Sequence, residues 1–253
     1  MYADLSTRTA LVTGAAKGIG KATALAFARQ GASLALLDRD AEALADVAEA
    51  CRAASPQERA MHTFVVDLMD HQATAHAVRS AIDKLNELNV VVNVAGITSP
   101  ARDPFEGIAP QDWERVFSTN VTSIFVIVKE ARRALIGDKD GRIINISSLT
   151  ASRSLDYLPA YTTSKAAVNS FTRVLARQFA PFGTTVNAIS PGFIRTPLWD
   201  ERSDEFDSRI DKWVPMGRPQ SADDVAWLSV FLASPLASNI TGQIIGVDGG
   251  ASI

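Results

Sequence analysis

The chain has 253 residues, a formal net charge of −3 and a single cysteine, Cys51. Without a basic run, nucleic acid is excluded as a partner, and one cysteine cannot form an internal disulfide. The longest apolar stretch, residues 121–128, is far shorter than the roughly 20 residues of a membrane-spanning helix. The first residues show no charged segment followed by an apolar one, so no signal peptide is predicted. We therefore expect a cytoplasmic protein with no membrane partner.

Short apolar runs alternate with segments of helical periodicity along the whole chain. The predicted strands span residues 9–13, 33–37, 62–66, 90–94, 142–146, 185–189 and 243–247. The predicted helices span residues 19–29, 41–54, 71–88, 111–135, 158–180 and 221–233. This alternation predicts βαβ units, and hence an α/β fold with a doubly wound, Rossmann-type parallel sheet of about seven strands and helices on both faces. No shift in composition divides the chain, so we expect one domain over residues 1–253.

One long irregular stretch, residues 191–220, interrupts the alternation. Loops of such length in compact domains are usually lids or binding loops, so we predict a substrate lid here. Its apolar residues either form an inner lid face or pack on the body or on a neighbouring subunit; they are Trp199, Phe206, Ile210 and Trp213.

A glycine-rich turn directly follows the first predicted strand and opens the first predicted helix. Its glycines are Gly14, Gly18 and Gly20, in the spacing Gly-x-x-x-Gly-x-Gly. Glycines at this position let the backbone approach a pyrophosphate, and the helix N-terminus supplies free N–H groups and a positive dipole. The spacing differs from the common Gly-x-Gly-x-x-Gly fingerprint, so a purely structural turn is the alternative.

The second predicted strand leads into Asp38, which lies 18 residues after Gly20. A carboxylate at this position accepts hydrogen bonds from the ribose hydroxyls of NAD and repels the additional phosphate of NADP. Lys17 and Arg39 act in the opposite direction, because both cations are placed to meet that phosphate. We favour NAD as the cofactor and keep NADP as the alternative.

Tyr161 and Lys165 are four residues apart on a predicted helix, and therefore share one face. A phenol has a pKa of about 10, so its use as a base near neutral pH requires a decrease of about three units, or roughly 4 kcal/mol. One ammonium about 4 Å away, at an effective dielectric constant of about 20, supplies roughly 4 kcal/mol. The pair thus predicts a proton-transferring tyrosine, with a chance surface pair as the alternative.

Together these motifs resemble the short-chain dehydrogenase/reductase family, in its compact single-domain branch, over essentially the whole chain. The turn from Thr13 to Gly20 matches the family's Thr-Gly-x-x-x-Gly-x-Gly, and Tyr161 with Lys165 matches its Tyr-x-x-x-Lys pair. Ser148, 13 residues before Tyr161, falls where the family has a substrate-orienting serine; Ser147 is the alternative.

The resemblance implies four catalytic residues and no metal. Tyr161 would be the general acid/base, and Lys165 would lower its pKa and bind the nicotinamide ribose. Ser148 would hydrogen-bond the reacting oxygen. Asn120 would support a water that links Lys165 to solvent.

The resemblance also implies the positions that contact the cofactor. They are Gly14, Lys17, Gly18, Ile19, Gly20, Asp38, Arg39, Asp67, Leu68, Asn93, Ala95, Gly96, Tyr161, Lys165, Pro191, Gly192, Ile194 and Thr196. One departure is visible: the family's Asn-Asn-Ala-Gly reads Asn93-Val94-Ala95-Gly96 here. This change puts a local backbone tie of the fourth strand in doubt.

For the substrate, we expect a secondary alcohol or ketone, most simply a polyol, a sugar or a hydroxy acid. The alternative is an NADPH-dependent ketone or 3-oxoacyl reductase. Candidate substrate residues, besides Ser148, are Arg102, Arg153 and Trp199. The arginines either bind an acidic group of the substrate or pair internally, for example with Asp103 or Asp156. The resemblance further implies a homotetramer, paired through the helices at 111–135 and 158–180 and the last strand.

Overall fold

Seven parallel strands form the centre of the computed structural model, which describes residues 3–98, 105–137, 140–153, 158–195 and 203–253. The strands are β1 (Thr9–Thr13), β2 (Ser33–Asp38), β3 (Met61–Val65), β4 (Val90–Asn93), β5 (Arg142–Ile146), β6 (Thr185–Pro191) and β7 (Ile244–Val247). The helices are α1 (Gly18–Arg29), α2 (Ala41–Ala54), α3 (His71–Leu85), α4 (Pro110–Phe117), α5 (Ser123–Gly137), α6 (Pro159–Phe179), α7 (Ser203–Trp213) and α8 (Ala222–Ala233).

The strand order is β3-β2-β1-β4-β5-β6-β7. Leu11 in β1 is in register with Ala35 of β2 on one side and with Val91 of β4 on the other. The winding therefore reverses direction between β1 and β4, and the crevice at such a switch point is where open α/β sheets bind ligands. Because all strands are parallel, the segments that follow them meet at one carboxyl edge.

Apolar residues cover both faces of the sheet. One core cluster joins the sheet to α1, α2 and α8 and includes Phe27, Leu44 and Val225. The other joins the sheet to α3, α5 and α6 and includes Ile127 and Val168. Strands buried on both faces explain why the runs in β1, β2 and β4 are continuously apolar rather than alternating. The predicted doubly wound fold is confirmed.

Cys51 is fully buried in α2, and burial raises the pKa of its thiol to about 11. It is a packing residue of the core next to α1, α2 and α8. No helix within the described ranges is long and apolar enough to cross a membrane.

The predicted helical stretch over 111–135 is confirmed, since the backbone is helical from Pro110 to Gly137. It contains one feature that was not predicted: a five-residue π-helical segment, Ser118–Thr122, joins α4 to α5. The reason is local: the Asn120 side chain is fully buried and bonds the backbone of Ile97 rather than pointing to solvent. Such π-turns often occur at functional sites, and apolar periodicity does not reveal them.

Two further boundaries differ from the sequence prediction. Helix α3 ends at Leu85, three residues early, because Asn86 adopts a left-handed conformation with φ 62°. The stretch 191–220 is not irregular throughout, since α7 lies within it. Phe206 and Ile210 are buried there against Leu149 and Ala251, so these two residues pack on the body of the protein. Trp199 lies outside the described residues.

Candidate active site

The glycine turn after β1 brings three backbone segments into close contact. A Cβ at Gly20 would lie 1.9 Å from the carbonyl oxygen of Gly14, and one at Gly14 would lie 2.9 Å from the Cα of Ala95. Gly14 and Gly18 also have positive φ values, 64° and 55°, which glycine adopts without strain. The turn thus needs glycine at these positions, because any side chain there would be strained or would overlap the neighbouring backbone.

The N-terminus of α1 lies open above this turn. Lys17, its N-cap residue, is extended and exposed and makes no side-chain capping hydrogen bond. The first amides of the helix, from Gly18 to Gly20, are therefore not capped by that side chain. A Cβ at Gly18 would meet nothing within 4 Å. A dinucleotide pyrophosphate fits this arrangement of uncapped amides and open space.

Asp38 lies at the end of β2 beside the turn. One carboxylate oxygen accepts a hydrogen bond from the amide of Ala16 at 3.0 Å, and the other accepts from the amide of Asp40 at 3.1 Å. The side chain is half-exposed, so each oxygen keeps a free lone pair. Arg39 and Lys17 are both exposed in the same region.

The departure at Val94 is compensated by Thr13. The Thr13 hydroxyl accepts hydrogen bonds from the amides of Val94 at 3.0 Å and Ala95 at 3.2 Å. These bonds tie β4 to β1, so the local backbone tie that seemed in doubt is present. Asn93 donates from Nδ2 to the Asn145 side chain at 2.8 Å.

The remaining predicted cofactor positions also lie at the carboxyl edge. Asp67 is exposed and accepts from the amide of Met69 at 3.0 Å, whereas the Leu68 side chain packs into the core. Gly192 donates its amide to Val247 at 3.0 Å, beside Pro191 at the end of β6. Ile194 forms an isolated parallel β-bridge with Gln220. Thr196 lies outside the described residues.

Tyr161, Lys165 and Ser148 come together where β5 and α6 meet. The ammonium of Lys165 is buried, donates to the carbonyl oxygen of Ile146 at 2.7 Å, and lies 5.7 Å from the centre of the Tyr161 ring. The side chain of Ser148 lowers the pKa of the Tyr161 phenol, which puts the two groups near each other. The hydroxyl of Ser147 instead faces the backbone of α6 at Lys165, so Ser148 is the serine at this site.

Burial governs the two pKa values. Although part of Tyr161 reaches solvent, burial raises the pKa of its phenol, and the side chain of Ser148 offsets this only in part. Burial also lowers the pKa of Lys165 to about 8. Burial thus opposes the decrease expected from the lysine charge, because desolvation penalises both the phenolate and the ammonium; that Lys165 lowers the pKa of Tyr161 stays a prediction.

Asn120 and Gly96 enclose the ammonium from the other side. A Cβ at Gly96 would lie 3.2 Å from Nζ of Lys165 and 3.4 Å from Oδ1 of Asn120. Asn120 exchanges two hydrogen bonds with the backbone of Ile97, at 2.8 and 3.0 Å, and donates to the hydroxyl of Ser164 at 2.9 Å. Ser164 in turn donates to the carbonyl oxygen of Tyr161 at 2.7 Å.

Sequence reasoning missed Ser164 and the tie made by Thr13. Ser164 lies three residues after Tyr161 and directly before Lys165, on the same side of the helix as the tyrosine. Its polar side chain within a buried helix face was the available signal. For Thr13, a hydroxyl at the end of an apolar strand was the signal.

Of the substrate candidates besides Ser148, only Arg153 lies within the described residues; Arg102 and Trp199 do not. Its guanidinium donates to the carbonyl oxygen of Ala251 at 2.8 Å and lies 4.0 Å from the centre of the Trp213 ring. An internal partner was one of the two alternatives for this arginine. The partners found in the described residues are a carbonyl group and an aromatic ring, and the two carboxylates considered from the sequence, Asp103 and Asp156, lie outside the described residues.

A doubly wound sheet with a glycine turn at its switch point defines a nucleotide-binding α/β protein, and known proteins specify the family. A family model described as "Enoyl-(Acyl carrier protein) reductase" matches residues 14–252. The chain is 34% identical to a 3-oxoacyl-(acyl-carrier-protein) reductase of Aquifex aeolicus over 251 residues, with 99% of each chain covered. It is 32% identical to a gluconate 5-dehydrogenase of Gluconobacter oxydans over 252 residues, which cover 99% of this chain and 96% of the relative.

Solved structures agree with these relatives. The short-chain dehydrogenase/reductase from Serratia marcescens superposes with a TM-score of 0.90 at 31% identity, covering 97% of this chain and 98% of that one. The protein therefore belongs to the short-chain dehydrogenase/reductase family, whose members are oxidoreductases that bind a nicotinamide cofactor and act on alcohol or keto groups. The resemblance inferred from the motifs is confirmed.

The close contact at Gly20 predicts the effect of a single methyl group. We expect Gly20→Ala to weaken NADH binding more than tenfold, a loss of about 1.4 kcal/mol or more, because its Cβ cannot fit beside the Gly14 carbonyl. NADH fluorescence titration measures this, with circular dichroism to verify folding. Gly137→Ala is the matched control, since a Cβ there meets nothing within 4 Å. NADH affinity that is unchanged in a folded Gly20→Ala variant would contradict the assigned turn.

The buried ammonium of Lys165 predicts a gain in stability when it is removed. With its pKa lowered to about 8, keeping it charged at pH 7 costs roughly 3 kcal/mol, and losing its hydrogen bond to Ile146 costs about 1 kcal/mol. Lys165→Met should thus raise the free energy of unfolding at pH 7 by about 2 kcal/mol.

This advantage should shrink as the pH rises from about 8 toward the ordinary lysine pKa of about 10.4. In that window the unfolded chain holds the proton and the folded protein does not, so the wild type gains stability with pH. Urea unfolding at several pH values measures it, with exposed Lys21→Met as control. If the Lys165→Met variant is less stable than the wild type at pH 7, the buried charge of Lys165 does not destabilise the fold and the prediction is wrong.

Proposed function

We propose that this protein is an NAD(H)-dependent oxidoreductase that interconverts a secondary alcohol and its ketone, with Tyr161 as the general acid/base. The observation that carries the proposal is the meeting of Tyr161, Ser148 and the buried ammonium of Lys165 at the carboxyl edge of the sheet. Few structural roles need a phenol, a hydroxyl and an ammonium gathered beside a glycine turn at the switch point, and perturbed pKa values of this kind are typical of functional sites.

Each residue then has one task. Ser148 holds the oxygen of the substrate by a hydrogen bond, and the Tyr161 hydroxyl takes the proton of an alcohol or gives one to a ketone. Lys165 provides positive charge next to the phenolate and binds the ribose hydroxyls of the cofactor. Asn120, which is bonded to the backbone of Ile97, supports a water that links Lys165 to solvent.

The bound nicotinamide supplies the hydride acceptor or donor and, in its oxidised form, a positive charge near Tyr161. This additional positive charge would favour the phenolate, whereas burial raises the pKa of Tyr161 in the protein without its cofactor. The glycine turn, Asp38, Asn93 and Gly96 form one continuous edge, on which the remaining cofactor positions named above are proposed to lie.

NAD is the proposed cofactor because of Asp38. Its carboxylate is fixed by the amides of Ala16 and Asp40, so it cannot easily turn away from a phosphate on the adenosine ribose. NADP remains the alternative, supported by the exposed cations Lys17 and Arg39 on either side of it. With NADPH, the corresponding activity would be reduction of a ketone or 3-oxoacyl group, the class named for the Aquifex relative.

The proposed substrate is a polyol, sugar or hydroxy acid, the class to which the name of the Gluconobacter relative points. We also propose that the segment 191–220 covers the substrate, because α7 packs next to Leu149, the neighbour of Ser148. A screen of alcohols, sugars and sugar acids with NAD and then NADP, followed by absorbance of the reduced cofactor, tests this assignment.

We propose a homotetramer on the basis of the family resemblance. Phe125 on α5 and Val174 on α6 support it, since their side chains are 51% and 47% exposed on the two helices expected to pair. Ile124 and Val128 of α5 are buried in the core of the same subunit. They are therefore not available to a partner subunit, and the apolar surface that α5 offers to one is smaller. Sedimentation velocity at micromolar concentration should show a tetramer, and a stable monomer would contradict it.

Removal of the Tyr161 hydroxyl should abolish proton transfer and little else. Tyr161→Phe is expected to reduce kcat by about 100-fold or more, while NADH affinity stays within about threefold because only the proton-transferring hydroxyl is removed. Steady-state kinetics and NADH titration measure the two effects. If the variant keeps more than about a tenth of the wild-type turnover, Tyr161 is not the acid/base.

Removal of the Asp38 charge should relax the choice of cofactor. The wild type is expected to prefer NAD over NADP by at least about tenfold in kcat/KM, or about 1.4 kcal/mol. Asp38→Ser should shift this ratio toward NADP, because Lys17 and Arg39 then act without an opposing carboxylate. Asp38→Asn separates charge from structure, since its amide oxygen can still accept from Ala16. Equal kcat/KM values for both cofactors in the wild type would show that the cations dominate.

A further inference from the structure

Arg153 connects three parts of the chain that are far apart in sequence. It lies five residues after Ser148, and its Nη1 donates a hydrogen bond of 2.8 Å to the carbonyl oxygen of Ala251, 98 residues later. Its guanidinium carbon lies 4.0 Å from the centre of the ring of Trp213, the last residue of α7. One side chain thus joins the loop of Ser148 to α7 and to the C-terminal segment.

Arg153 lies beside a small apolar cluster that is separate from the two core clusters on the faces of the sheet, since its partner Ala251 belongs to that cluster. Leu149, next to Ser148, packs there against Phe206 and Ile210 of α7 and against Ala251. Within the described parts of the chain, α7 makes no extensive contact with any other helix or strand. Arg195 also reaches α7, where it pairs with Asp207 and lies 4.6 Å from the centre of the Phe206 ring. The position of α7 beside Ser148 therefore depends on this cluster together with the contacts of Arg153 and Arg195.

The geometry favours arginine over any other cation at this position. A planar guanidinium can lie against an indole ring and still direct an N–H group to a carbonyl oxygen, which a lysine ammonium cannot do in the same way. The Trp213 ring has a second cation near it, the exposed Lys212, with Nζ 4.9 Å from the ring centre. Lys212 belongs to α7 itself and contacts no other segment among the residues that the structure describes, so it offers an internal control.

We propose that Arg153 is a positioning residue of the substrate cleft, which fixes α7 and the C-terminal segment against the loop of Ser148. It acts through these contacts and does not bind an acidic group of the substrate. The proposal rests on the proposed function only for its effect on catalysis, because the docking of α7 is measurable without a substrate.

Hydrogen–deuterium exchange tests the docking directly. In Arg153→Met, amides of residues 203–213 and 249–253 should exchange at least tenfold faster than in the wild type, while those of α1 stay unchanged. Arg153→Lys should behave like Arg153→Met, because a lysine cannot make both contacts. Lys212→Met should match the wild type. Unchanged exchange in Arg153→Met, or an equal acceleration in Lys212→Met, would overturn the proposal.

Kinetics separate positioning from charge recognition. With a substrate found in the screen, Arg153→Met should raise KM at least tenfold for acidic and neutral substrates alike, with kcat within about threefold and NADH affinity within about twofold of the wild type. An increase of KM confined to acidic substrates would show that Arg153 binds substrate charge, and would overturn the proposal. If the wild type oxidises or reduces nothing in the screen, the proposed function fails, and the exchange experiment alone decides the role of Arg153.

Discussion

The ammonium group of Lys165 is the constraint around which the site is arranged. It lies buried at the carboxyl edge of the sheet, where the carbonyl oxygen of Ile146 accepts its hydrogen bond. Burial without a carboxylate makes this charge costly and lowers its pKa to about 8. Gly96 passes so close that a methyl group would press against it. Keeping this group buried and charged destabilises the fold. We expect that it is kept because it supports proton transfer by the neighbouring phenol of Tyr161.

The surrounding structure keeps α6 in place so that Tyr161 and Lys165 face the sheet. Asn120 in the π-turn bonds Ser164, which bonds the backbone of Tyr161. Farther along the helix, a second buried chain of hydrogen bonds runs from Asn93 through Asn145 to Thr172. Both connections are made by short polar side chains inside the protein, where an unmade hydrogen bond is expensive. The helix is therefore fixed at two points relative to β4 and β5.

The sequence was sufficient for the fold and for the location of the site. Continuous apolar runs, each followed by a helical segment, specify a parallel sheet, and the residues after each strand then meet at one edge without further information. It was insufficient where tertiary contacts override local pattern. The π-turn depends on Asn120 reaching Ile97, helix α7 depends on burial against Leu149, and the partners of Arg153 lie 60 and 98 residues away. The direction of the Tyr161 pKa could not be predicted for the same reason, because the desolvation that raises it is a property of the packed protein.

We propose that Tyr161 becomes an effective base only when the charge of Lys165 is supplemented by that of the oxidised cofactor. Ultraviolet difference titration of the phenol at about 295 nm, wild type minus Tyr161→Phe, measures its pKa directly with and without NAD. We expect a pKa above the ordinary value of about 10 in the free protein and a decrease of two or more units when NAD is bound, roughly 3 kcal/mol. A pKa already near 7 in the free protein, or one that NAD leaves unchanged, would contradict it.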